Sequence, residues 1–81
     1  MIKIVFFARL KEQLQCEVEA LPAEGLETVA AVRSRLLADH PGWAAAFSEP
    51  LLTAVNQQLA KDTARVSDGD EVAFFPPVTG G

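Results

Sequence analysis

One segment of the chain constrains its architecture more than any other. Between Val29 and Asp39 the apolar positions Val29, Val32 and Leu36 recur at i, i+3 and i+7, joined by Leu37 and several alanines. That is the stripe of an amphipathic helix with one face to bury. Thr28 is placed to cap it, and Glu27 sits favourably for the helix dipole. Asp39-His40-Pro41-Gly42 ends it, because proline disfavours helix at the residue before it. A helix of this kind needs another layer to lie on, and the segments around it read as strands.

Ile2 to Ala8 is dense in β-branched and aromatic residues and apolar on both phases, as an interior strand would be. Ile2, Ile4 and Phe6 are assigned to the core, and Lys3, Val5 and Phe7 to the outer face. Arg9 to Gln15 is polar, with Leu10 and Leu14 four apart, and predicts a single helical turn or an ordered loop. Cys16-Glu17-Val18-Glu19-Ala20 alternates as a strand with one wet face should. In that reading the glutamates face water, Cys16 is a small buried residue, and the strand forms a hairpin with the first. Trp43 and Phe47, four apart, form a short apolar turn over the core's edge. Leu51 to Val55 is the next strand, Asn56-Gln57 a turn, and Gln58 to Lys61 a short strand. Asp68-Gly69-Asp70 is a tight turn that launches a final strand, Glu71 to Phe75.

Strand, strand, helix, strand, short strand, strand is an α+β order, with a mixed sheet of four to five strands packed on one main helix. Ubiquitin-like β-grasp folds have this order. A ferredoxin-like arrangement would need a second full helix, for which Trp43 to Phe47 is too short.

Eighty-one residues suit one small domain, assigned to residues 1–75, with residues 76–81 as a flexible C-terminal tail. A net charge of −4 argues against a nucleic-acid partner, since no cluster of Lys and Arg offsets phosphate. The single cysteine excludes an intramolecular disulfide framework and any multi-cysteine metal site. His40 has no second histidine with which to share a metal, and Asp68-Gly69-Asp70-Glu71 lacks the ligand spacing of a calcium loop. The first apolar run is too short for a secretory signal, and no later run approaches membrane-spanning length, so the expected compartment is the cytoplasm.

The chemistry is concentrated at the C-terminal end, Phe74-Phe75-Pro76-Pro77-Val78-Thr79-Gly80-Gly81. Pro76 and Pro77 lack an N–H and fix φ, so the strand should stop at Phe75 and the chain leave the sheet as a stiff spacer. Gly80 and Gly81 have no Cβ, so a thin segment bearing the α-carboxylate could pass through a channel that excludes side chains. At about 3.3 to 3.6 Å per residue, Pro76 to Gly81 could reach roughly 20 Å from the domain, far enough to enter another protein's active site.

From Asp68 through Gly81 the chain resembles the small subunit of molybdopterin synthase, the MoaD-type ubiquitin-like sulfur carrier. Ile2 to Leu10, Thr28-Val29 and Leu52-Thr53-Ala54-Val55-Asn56-Gln57 are similar to the same family's first strand, helix start and third strand. Cys16 to Gly25 and His40 to Pro50 match least. The resemblance implies that Gly81, presented by Gly80, is adenylated by an ATP-dependent activating enzyme (MoeB-type) and converted to a thiocarboxylate. It implies a large synthase subunit (MoaE-type) that receives Pro76, Pro77, Val78 and Thr79 with the glycines, in a heterotetramer. There the sulfur goes to the cyclic pterin precursor, precursor Z, to form the molybdopterin dithiolene. The resemblance further implies that this chain binds no cofactor, ATP being used by the activating enzyme, and that it is not a catalyst alone. A sulfur carrier for thiamine or thiolated tRNA, a ubiquitin-like modifier joined to lysines through Gly81, and a plain interaction domain remain alternatives. Phe7 and Phe75 are expected on one open sheet face, with Leu59 nearby, as a partner-binding patch.

Overall fold

The predicted helix forms over Val29–Asp39 (α2), and the N–H groups of its first three residues all find partners. Thr28 Oγ1 accepts from the Ala31 N–H at 3.2 Å, while the Val29 and Ala30 N–H groups donate to the carbonyls of Ala64 and Asp62, each at 3.0 Å. These are donors that a helix end otherwise leaves unpaired. The irregular 61–66 segment is thereby tied to the helix rather than left as a loose link. The computed structural model describes residues 1–77.

Five strands make one mixed sheet: β1 (Ile2–Phe6), β2 (Val18–Leu21), β3 (Leu52–Val55), β4 (Gln58–Ala60) and β5 (Glu71–Phe75), in the order β2-β1-β5-β3-β4. β1 and β5 run parallel, with Phe6 opposite Phe74, and the other pairings are antiparallel. Ile2, Ile4, Phe6, Val72 and Phe74 on one face meet Val29, Val32 and Leu36 of α2, and all are fully buried. The 3-10 turn Pro41–Trp43 and helix α3 (Ala44–Phe47) close one end of that core. Phe6 lies 5.3 Å from the Trp43 ring, nearly perpendicular to it, and Phe47 meets Phe74 edge-on at 5.4 Å. Aromatic pairs in these edge-to-face geometries add about 0.5–1.5 kcal/mol beyond the area they bury.

The β3–β4 hairpin turns on Asn56 and Gln57, with φ of 50° and 71°, the left-handed pair of a type I′ turn. Asn56 also spans to the neighbouring turn. Its side-chain amide donates to Asp70 Oδ1 at 3.1 Å, and its Oδ1 accepts from the Glu71 N–H at 3.0 Å. Gly69, at φ 92°, supplies the conformation that the turn into β5 requires.

Several expectations are corrected. β1 ends at Phe6, and a seven-residue helix, α1 (Ala8–Leu14), capped by Gln15, follows and buries Leu10 and Leu14. β1 and β2 are thus antiparallel neighbours joined by a helix rather than by a hairpin turn. The phase of β2 is also the reverse of the one expected. Leu21 lies opposite Ile2 and Glu19 opposite Ile4, so these two face the helix side, while Val18 and Ala20 are exposed. Burying Leu21 beside Ile2 selects that register, and a one-residue shift would turn every side chain over. Cys16 precedes the strand and is only partly buried. Glu19, half-buried, meets His40 Nε2 at 3.4 Å, and His40 stacks on Trp43 at 3.8 Å. Arg33 of α2 is half-buried, pairs with Asp62 at 3.1 Å and lies over the Phe74 ring.

Candidate functional site

The parallel pairing of β1 with β5 determines what surrounds the exit of the C-terminal segment. The Phe7 N–H donates to the Phe74 carbonyl at 3.2 Å, so Phe7 lies beside Phe75 on the face opposite the helix. Ala8 takes a left-handed φ of 56° immediately afterwards, and the chain turns into α1. Phe7 therefore stays outside while Leu10 goes into the core. Phe7 is 49% exposed; Phe75 and Pro76 are half-buried and Pro77 is exposed.

Between these residues runs a groove of about 520 Å³. Ala54 and Ala73 lie in register across β3 and β5, and with Phe7, Phe75, Pro76 and Gln57 they line it. Val18, Val5, Ala73, Ala54 and Leu59 continue as one apolar row across all five strands, each paired with the next. Leu59 is 74% exposed on the far strand of that row and does not line the groove. Lys3 and Glu71, 3.8 Å apart, set the charged border on the side away from Phe7 and Phe75. The structure thus brings Phe7, Phe75 and Pro76 together and leaves Leu59 on the same face but apart from them. The expectations for Val78, Thr79, Gly80 and Gly81 lie outside the described residues.

Reactive side chains are sparse around this groove. The Cys16 thiol is pushed up from its ordinary pKa, first by burial and then by the carboxylate of Glu19, 3.8 Å from its sulfur. It is held as the neutral thiol, a poor nucleophile. Among the described residues no three His, Cys, Asp or Glu side chains are grouped to hold a metal, and no helix is long and apolar enough to cross a membrane. A groove of carbon-lined walls beside a departing strand is suited to recognition rather than to acid–base chemistry.

Two alanines in the groove were not singled out in the sequence, and neither was the bridging role of Asn56. An Asn at the first position of a two-residue turn was a legible signal for the left-handed conformation, but its reach to Asp70 depends on a strand pairing that local pattern does not display.

This architecture, a mixed five-stranded sheet with parallel β1 and β5 in contact and one main helix across it, is the ubiquitin-like β-grasp. Within that class the chain belongs to the ThiS family, whose profile matches residues 4–81. It is 45% identical over 82 residues to the molybdopterin synthase sulfur carrier subunit of Escherichia coli K12, covering 100% of both chains. Among solved structures it is similar to the small archaeal modifier protein SAMP1 of Haloferax volcanii, with a TM-score of 0.82, 26% identity and 99% and 98% of the two chains covered. It is also similar to a chain in the complex of subunits 1 and 2 of the molybdopterin-converting factor from Helicobacter pylori. There the TM-score is 0.71 at 25% identity, covering 99% and 97% of the two chains.

Proposed function

We propose that this chain is the sulfur carrier subunit of a molybdopterin synthase, acting through a thiocarboxylate at Gly81. The observation that carries this reading is the 45% identity with the E. coli carrier along the whole chain, C-terminal segment included. Gly81 is the reacting residue. A carboxylate is a poor electrophile until one of its oxygens becomes a leaving group. A MoeB-type activating enzyme supplies that group by joining the carboxylate to AMP from ATP, with release of pyrophosphate. A sulfur donor then displaces AMP and leaves the thiocarboxylate. By analogy with thiolates it is anionic and soft at neutral pH, so it attacks without a general base from this chain.

In this reading residues 1–75 serve to be recognised and residues 76–81 serve to arrive. Pro76 and Pro77 space the end from the sheet, Val78 and Thr79 are gripped by the receiving protein, and Gly80 and Gly81 thread into its active site. The receiving protein is a MoaE-type large subunit, in accord with the H. pylori structure being a complex of two subunits. Two charged carriers deliver the two sulfurs of one dithiolene, which suits an assembly of two large and two small subunits in the cytoplasm. Phe7, Phe75 and Leu59 are the exposed or half-exposed apolar contacts for that docking.

Sulfur transfer from purified, thiocarboxylated protein to the pterin precursor tests the mechanism. Deleting Gly81, or adding one residue after it, is expected to abolish transfer while leaving the thermal melt unchanged. Transfer retained in either variant contradicts it. The likeness to SAMP1 favours one second reading, a protein modifier. Isopeptide adducts on lysines of other proteins, formed in cells through Gly81, would mark that activity.

A further inference from the structure

The middle of the open sheet face holds two residues that strand stability alone does not favour. Ala54 and Ala73 sit opposite each other on β3 and β5, both interior strands of the sheet. Interior strands favour β-branched and aromatic residues, while alanine is depleted there because it leaves neighbours little to pack on. Both point away from the helix, yet they are only 8% and 7% exposed, because they lie at the bottom of the groove bounded by Phe7, Phe75, Pro76 and Gln57. The small side chains are what give the groove its depth.

The position of Gly81 identifies the occupant's source. Gly81 follows Pro77 by four residues, a length that spans about 14 Å at most. A protein that holds Gly81 in its active site must therefore lie close to Pro76, which is itself part of the groove. The groove's lining is mainly apolar, and the carboxylate within it, that of Glu71, is engaged by Lys3 at 3.8 Å. We propose that Ala54 and Ala73 are specificity-determining residues that form a socket for one bulky apolar side chain of the synthase large subunit. This rests on the sulfur-carrier reading above.

The test compares Ala54→Val and Ala73→Val with wild type, measuring the Kd for the molybdopterin synthase large subunit of the same organism by calorimetry and the Tm of each free variant. Valine is a better strand former and projects into open groove, so neither Tm should fall. Binding should weaken by roughly tenfold or more, since the socket is then overfilled. Ala20→Val, on the same face but outside the groove, should bind within about twofold of wild type. Wild-type affinity retained by both socket variants overturns the inference alone. A wild-type chain that does not bind the large subunit overturns the sulfur-carrier reading, and the inference with it.

Discussion

The two faces of the sheet are filled by opposite rules. On the helix side, Ile2, Ile4, Phe6, Val72 and Phe74 are completely buried against α2 and the aromatic turn at Trp43 and Phe47. On the open side, Phe7, Leu52 and Leu59 are exposed, and the two alanines between them leave a groove unfilled. The same five strands supply both faces, so the difference lies in side-chain choice rather than backbone. In a domain this small, packing the helix side tightly secures the fold, and that leaves the open side free to take a shape suited to docking.

Adjacent residues allow the contrast to be broken most sharply. Phe74→Ala should cost about 3–5 kcal/mol of stability in urea denaturation, because it removes a fully buried ring from the aromatic cluster. Phe75→Ala should cost far less, and should instead weaken binding to the large subunit. Similar stability losses for the two would erase the distinction between the faces.

A second pair sharpens it. Leu36→Ala on the buried stripe of α2 should lose about 2–5 kcal/mol, whereas Leu59→Ala on the open face should stay within about 0.5 kcal/mol of wild type. Thr28→Ala should cost about 1 kcal/mol through loss of the bond to the Ala31 N–H. Thr28→Ser should restore most of it, and full stability in the alanine variant would show that the Asp62 and Ala64 carbonyls suffice to hold the helix start.

The smallest effect concerns Cys16. With its pKa raised by burial and by Glu19, it should react with iodoacetamide more slowly than a free thiol at mildly alkaline pH. Glu19→Gln should narrow that gap while leaving part of it, because burial is the larger cause. Because the folded pKa is raised, any stability owed to the neutral thiol is present below the thiol's unfolded pKa and lost as pH rises through the folded value.

Much of the helix side was legible in the sequence. The spacing of Val29, Val32 and Leu36, the cap at Thr28 and the alternation of Ile2, Ile4 and Phe6 are local signals, and each was realised in the fold. β2 was misread because two alternations compete between Cys16 and Leu21, and only pairing with Ile2 and Ile4 decides between them. Leu21, the residue that determines the register, lies one position beyond the expected Cys16–Ala20 strand. The left-handed turn at Ala8 had no signal, since nothing in alanine's chemistry asks for a positive φ. The groove was half legible. Phe7 and Phe75 could be placed on one face from their phase, but its depth comes from Ala54 meeting Ala73 across strands distant in sequence. Small residues advertise nothing until their neighbours are known.

If the domain delivers a chemically charged Gly81, as proposed above, intact-mass spectrometry will detect the charge on the protein itself. The protein would be purified after co-expression with its adenylating enzyme and a sulfur source. A gain equal to the exchange of one oxygen for sulfur, located to Gly81 by fragmentation and lost when Gly81 is deleted, is the predicted result. An unmodified mass under conditions in which the activating enzyme consumes ATP with this chain present would contradict it.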